Sequence, residues 1–537
     1  MINNNKAKVF LPLLFGVVMA LGMLVGFKLQ RGVEGKRSLG KVFAKSNDYK
    51  LSDVIKYIDN RYVDTIDREE VFESTISTIL EDLDPHSSYI SNRQMKAVSE
   101  NMKGKFEGVG IEFFIVKDTI TVVSPITGGP SEKLGIRSGD KIIYVDDTLV
   151  AGIGISNADV IGHLRGPKGS IVKVGILRNG EDELMNFDIK RDKIPLASVE
   201  VSYMIDDEIG YIKVNRFNEN THKEFKERLV KLNESGMSQL ILDLRQNPGG
   251  ILTESTKMVD ELIPGKKMIV YTEGRKVPKQ EYKTGTKGVF EKGDVIVLID
   301  GGSASASEIV AGAIQDWDRG KIIGKRSFGK GLVQEQKMLD DGSALRLTIA
   351  RYYTPSGRCI QRSYEGGIKN YHDEARKRIA AGNKEDSLAV EEAKDAGEFY
   401  TANGRVVYAE GGIMPDVYVD EDSIYSDKRV TKLLGAVPQW TYNYFSNNTQ
   451  NFDFDEVDEF NNAPIKREIT SSFLNSFKSS VELNEREREV ISNRIMAYLA
   501  KQQFKDVGFY KTLMLEDIQI QKAIEELQAP TYDLAGS

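Results

Sequence analysis

Cysteine is almost missing. A single residue, Cys359, in 537 allows no internal disulfide and no cysteine-rich zinc module. Histidine is scarce too: the four, at 86, 163, 222 and 372, form no HExxH pair, so a metalloprotease has no ligand helix here. Nor is there an excess of positive charge. With 73 basic and 80 acidic side chains the formal balance is −7, without the basic stripe that nucleic acid requires. What is present suits a large soluble machine: 40% hydrophobic residues in a chain long enough for roughly three or four domains.

Only one long apolar run interrupts that composition. From Val9 to Phe27 there is no charge, and Lys6 and Lys8 precede the run. As a helix it would span about 28 Å, close to the hydrocarbon thickness of a bilayer. The expectation is an uncleaved anchor over 9–27, with a cleaved signal as the competing reading and residues 1–8 cytoplasmic. It places the chain as a single-pass protein of the bacterial inner membrane, with its bulk on the periplasmic or extracytoplasmic side.

Residues 28–103 read as a helical entry region, with Val54, Ile55, Ile58 and Tyr62, and then Val71, Ile76, Ile79, Leu80 and Leu83, at helical spacing. Leu83-Asp84-Pro85-His86-Ser87 breaks the pattern. A histidine beside a Pro-Ser turn is a candidate base, but such a residue more often bonds locally. Over 104–191 short strands alternate with glycine turns: Ile111–Ile115 and Ile120–Val123 around Lys117-Asp118, a short helix from Pro130 to Gly135, strands over Lys141–Val145 and Val172–Leu177, and a helix over Asn157–Leu164. Together with Gly108-Val109-Gly110-Ile111 ahead of a strand, the series resembles a PDZ domain. Such a loop exposes backbone N–H groups to a peptide carboxylate while the adjoining strand edge pairs with the peptide.

From 192 to 425 strands alternate with helices, as in an α/β core. Two strand-to-helix junctions stand out. Gln239–Leu244 runs into Arg245-Gln246-Asn247-Pro248-Gly249-Gly250, and Val295–Ile299 runs into Gly301-Gly302-Ser303-Ala304-Ser305-Ala306-Ser307-Glu308. A serine at a helix amino terminus lies among N–H groups that favour developing negative charge. Ser305-x-x-Glu308 also fits a capping box, worth about 1 kcal/mol, and on local sequence capping is the stronger reading. A catalytic serine needs a base, and without a His-Asp partner set the economical choice is a lysine. Lys330 lies between Gly329 and Gly331, and its pKa must fall by roughly three units, about 4 kcal/mol, for it to act near neutrality. Gly324–Gly331 nearly matches a phosphate loop, but Gly331 takes the place of the Mg²⁺-binding hydroxyl and a strand follows where a helix is required.

Taken together, these residues resemble the carboxy-terminal processing peptidases, or tail-specific proteases. The likeness runs over most of 47–362 and is carried by Leu83–Ser87, the PDZ series, Asp243–Gly250, Ser303–Glu308, Phe328–Gly331 and Thr354-Pro355-Ser356-Gly357. The resemblance implies a mixed α/β, multidomain chain: a ClpP/crotonase-like protease core with an inserted PDZ domain and helical regions at both ends. It implies Ser305 as nucleophile, Lys330 as general base and Gln334 as the lysine's holder, with an oxyanion hole from Ala306 and Gly249 or Gly250. Gly108, Val109, Gly110 and Ile111 would bind the peptide terminus, and Asp316 would support the structure. No metal or cofactor is implied. The implied partners are protein or peptide substrates with free carboxy termini, the membrane through the first segment, and a second copy or an adaptor; a catalytically idle PDZ scaffold is the alternative. Two departures are visible: an insertion of about fifty residues over 362–410, with helices expected over Glu374–Ala381 and Leu388–Ala396, and a charged helical extension over 426–537.

Overall fold

The computed structural model describes residues 50–181, 183–381, 397–409, 411–420, 423–477 and 482–529. The expected 9–27 segment and the expected helix over Leu388–Ala396 lie outside them. The single-pass inner-membrane assignment is corrected here, because no helix among the described residues is long and apolar enough to cross a membrane. Two compact units divide the chain, 1–78 and 79–537. In the first, Lys50–Arg61 is a helix and Arg68–Glu81 begins a second that ends just past the boundary; Arg68 pairs with Asp59 of the first.

The second unit is built on a six-stranded sheet. Val199–Met204 pairs antiparallel with Ile209–Val214; Gln239–Asp243, Asp294–Ile299, Lys321–Gly324 and Val417–Tyr418 then follow in parallel. The parallel strands are apolar along their middles because both faces are covered there, with polar residues such as Gln239, Asp243, Asp294 and Lys321 at their ends. Leu240, Leu242, Val295 and Val297 pack under the helices Thr221–Glu234, Leu252–Asp260 and Ala306–Asp316, through Phe225, Leu229, Met258, Ile309 and Ile314. Ile241, Ile296, Leu298 and Ile323 face the other way, onto Ile520, Ala523 and Leu527 of the last helix, Ile518–Gln528. The carboxy-terminal extension is therefore part of the core. Arg245 ties it down, bonding both Asp243 of the sheet and Asp517 at the last helix's cap.

A second sheet holds Ser88–Ile90, Ala344–Tyr353, Met268–Glu273 and Gln280–Lys283, with Leu332–Met338 also on Ala344–Tyr353. A bulge between Val333 and Gln334 breaks the register of that last pair. The strands between Ile111 and Lys190 form a small β-rich body, in the order Ile111–Ile115, Ile120–Pro125, Lys141–Val145, Ile171–Leu177, Met185–Lys190, so Ile111–Ile115 is an edge. Against it lies Lys428–Asn447 of the extension, whose buried Tyr442 donates to the Val122 carbonyl at 3.1 Å and meets Phe114 edge to face. The remaining helices of the extension, Val457–Asn462, Lys466–Asn475 and Glu485–Leu513, close a core around Phe460, Phe473, Ile491 and Ile495. In the 362–410 insertion the helix starts earlier than its sequence suggests, at Gly367, and runs to Ala381.

Candidate active site

Both junctions singled out in the sequence meet at one end of the parallel sheet, and Asn247 fastens them together. This fully buried amide donates to the Val214 carbonyl at 2.8 Å and accepts the Gly249 N–H at 2.9 Å. Its own main-chain carbonyl takes the Ala304 N–H and the Ser307 hydroxyl. The junctions touch so closely that a Cβ on Gly249 would lie 2.5 Å from the Ala304 carbonyl oxygen and 2.8 Å from the Ala306 nitrogen. Gly249 also has φ of +90°, so this position requires glycine twice over.

The three serines separate cleanly. Ser303 donates to the Leu244 carbonyl and Ser307 to that of Asn247, both hydroxyls fully buried. Ser305 stands at the amino terminus of the helix Ala306–Asp316 with φ of +54°, a strained backbone for a residue carrying a Cβ. Its hydroxyl makes no cap bond. Ser305 and Glu308 keep the expected capping-box arrangement, in which Glu308 accepts the Ser305 N–H at 2.7 Å while the serine hydroxyl faces the Glu308 N–H without a full hydrogen bond.

Glu308 does more than cap. It is completely buried, and its two oxygens receive the Ser327 hydroxyl, the Gly329 N–H at 2.7 Å and the Lys330 N–H at 2.9 Å besides that of Ser305. Burial pushes its pKa above the ordinary glutamate value, and the four donors oppose that rise. One carboxylate thus joins the serine's backbone to the lysine's.

Lys330 is half-buried, with Nζ 3.0 Å from Gln334 Oε1. Gln334, aimed by the bulge at Val333, passes its amide to the His86 carbonyl. Burial, then the Arg346 guanidinium, lowers the Lys330 pKa below the usual lysine value, while Glu308 and Asp84 pull it upward. Among the described residues no hydrogen bond joins Lys330 Nζ to Ser305 Oγ. The turn at 84–87 is itself held: Asp84 accepts the N–H groups of His86 and Ser87 and the Thr348 hydroxyl. The His86 ring bonds at long range rather than within its turn, Nε2 to the Tyr371 hydroxyl at 2.9 Å, and burial first, then Lys330, lowers its pKa to about 4. It is neutral at neutral pH.

Of the two expected oxyanion glycines, Gly249 has its N–H committed to Asn247, whereas those of Gly250 and Ala306 are paired with no acceptor among the described residues. At the other expected site, the carbonyls of Val109 and Gly110 are engaged by Ser131 and Ile126, and their N–H groups have no acceptor among the described residues. Ile111 then opens the edge strand. Asp316 has the supporting place expected of it, in a fully buried pair with Arg358 at 2.7 Å. The sequence reading missed Asn247 and Tyr371 and saw Glu308 only as a cap. The buried glutamate's position three residues after a serine was the one available signal.

With this geometry in place, the comparisons with known proteins agree. The family description "Peptidase family S41" matches residues 208–370 and "PDZ domain" matches 108–189. A carboxy-terminal-processing protease of Bartonella bacilliformis is 39% identical over 328 residues, covering 59% of this chain and 74% of that protein. The chain belongs to the carboxy-terminal processing proteases. A carboxy-terminal processing protease of Bacillus subtilis is 33% identical over 374 residues, 68% of this chain and 77% of that one. A solved photosystem II D1 C-terminal processing protease is 28% identical, covering 59% of this chain and 90% of its own, with a TM-score of 0.34. The chain is accordingly a serine-type protease of family S41 with a PDZ domain, and the idle-scaffold alternative gives way.

Proposed function

We propose that this protease cleaves peptide bonds with a Ser305–Lys330 dyad and reads the carboxy terminus of its substrate with the PDZ edge strand. The observation that carries the reading is the shared carboxylate of Glu308, which holds the backbone of a strained serine and that of a desolvated lysine on adjacent hydrogen bonds. Neutral Lys330 takes the Ser305 proton as Oγ attacks the substrate carbonyl carbon. The negative oxygen that forms is received by the N–H groups of Ala306 and Gly250, which have no acceptor among the described residues, at the positive end of the helix. The ammonium returns its proton to the leaving amine as the C–N bond breaks, leaving an ester on Ser305. Lys330 then takes a proton from water as hydroxide attacks the ester, and returns it to Ser305 Oγ as the Oγ–acyl bond breaks and the acid product leaves. Gln334 keeps the amine in place through the cycle.

The N–H groups of Val109 and Gly110 would receive the substrate's terminal carboxylate, and the start of the edge strand Ile111–Ile115, whose far end at Ile115 takes Gln439 Nε2 at 3.4 Å, would pair with the residues preceding it. The test compares an unstructured protein bearing a free carboxy terminus with the same protein amidated there. Wild type should turn over the free form faster, and Ser305→Ala should cleave neither. Cleavage by Ser305→Ala, or equal rates on both forms, would refute the nucleophile or the terminus reading respectively.

A further inference from the structure

The inserted segment after Arg362 reaches the lysine's supports. Its helix Gly367–Ala381 buries Tyr371, 1% exposed, against the 84–87 turn. The Tyr371 hydroxyl is 2.9 Å from His86 Nε2, with the two rings edge to face and centroids 5.4 Å apart. The main-chain carbonyl of this same histidine receives Gln334, and Gln334 holds Lys330. Phe328, two residues before the lysine, completes the cluster at 6.3 Å from the His86 ring and 6.1 Å from Tyr371. Arg362 lies across both aromatic faces, 3.9 Å from the Tyr371 centroid and 4.7 Å from that of Phe328.

We propose that Tyr371, supplied by the insertion, is a positioning residue for Lys330: through His86 it fixes the carbonyl to which Gln334 is tied, and with Phe328 it keeps water from the amine. The proposal rests on Lys330 being the base. The main-chain N–H of His86 is already spent on Asp84, so the ring is the remaining handle on this residue, and Tyr371 is its hydrogen-bond partner. The pairing is between neutral groups, since an imidazole with a pKa of about 4 carries no charge where the enzyme would work. The charged and titratable groups around Lys330 and His86 are Asp84 on the turn, Glu308 on the helix, Arg346 on the strand Ala344–Tyr353, and Arg362, His372 and Tyr371 on the insertion side. Because burial is the largest influence on the lysine, loosening this wall returns its pKa toward the ordinary value. A base that acts deprotonated then needs a higher pH.

The experiment measures kcat and KM against pH for the full chain, Tyr371→Phe, Tyr371→Ala and Lys330→Met on an unstructured protein substrate. Tyr371→Phe keeps the ring and the Arg362 stack and loses only the hydroxyl. It should lower kcat about tenfold, less than the roughly 10²–10⁴-fold that a general base itself contributes, leave KM within about twofold, and move the acid limb to higher pH. Tyr371→Ala should move the limb further in the same direction. If both variants keep the wild-type acid limb, whatever their rates, the residue merely supports the fold and the proposal is wrong. If Lys330→Met retains turnover, the base assignment falls and takes the proposal with it, an outcome distinct from unmoved limbs in an enzyme that needs its lysine.

Discussion

Replacing Glu308 by glutamine changes one buried oxygen into an NH₂ and little else in shape. Two flips of the amide are open to it. With Nε2 beside Ser305 and Lys330, two backbone N–H groups face a donor; with Nε2 beside Ser327 and Gly329, the serine hydroxyl can rotate and only the Gly329 N–H is stranded. The second flip is cheaper and leaves one buried unsatisfied donor, costing about 1–3 kcal/mol. The bonds retained by Ser305 and Lys330 become neutral, losing about 1 kcal/mol each relative to charge-assisted ones. Relief of the buried charge's desolvation offsets part of this, so a net loss of about 2–4 kcal/mol follows. Urea unfolding of the purified protein measures it from the midpoint, given an unchanged slope. The same preparation should cleave protein substrate at least tenfold more slowly, because the hydrogen bonds that relate the serine to the lysine are weakened. A Glu308→Gln enzyme within about 0.5 kcal/mol of wild type and equally active would refute the role given to this carboxylate.

Other outcomes follow from the same bonds. Ser303→Ala and Ser307→Ala each remove a buried crosslink and should lower stability by about 1–2 kcal/mol while leaving measurable proteolysis, in contrast to Ser305→Ala; loss of activity in all three with intact folding would undo the separation of their roles. Above pH 6.5 the His86 ring is neutral folded or unfolded. Below it the unfolded chain takes a proton that the folded ring, with a pKa of about 4, refuses, so stability declines from pH 6.5 to 4 by at most about 3 kcal/mol. Unfolding midpoints of wild type and His86→Gln over that range should diverge in slope, and parallel lines would contradict the shift. Tyr442→Ala removes the hydroxyl bond to Val122 and the contact with Phe114, and should speed amide exchange in Ile120–Pro125.

The parallel core was legible because its strands are apolar on both faces and end in glycine-rich junctions, and the edge-strand body because turn residues punctuate it at short intervals. Ser305, Lys330 and Gln334 took their proposed roles from a family likeness: a capping box and a lysine between glycines have common structural uses. What stayed hidden depends on tertiary contacts between residues far apart in sequence. Glu308 reads as a cap until the loop 327–330 folds onto it. Tyr371 sits in a charged insertion and meets His86 across 285 positions. The last helix looks solvated by composition, yet Ile520, Ala523 and Leu527 fall on one face and cover the core sheet. In each case burial follows from a partner that local periodicity does not reveal.

The central claim, an uncharged Lys330 amine drawing the proton from Ser305, is met most directly by turnover of Lys330→Met between pH 6 and 10. Methionine matches the stem's bulk and cannot accept the proton. The account predicts no cleavage above the Ser305→Ala background at any pH, beside a wild-type profile whose acid limb lies below the ordinary lysine value of about 10.4. Cleavage by Lys330→Met at the wild-type rate would contradict it.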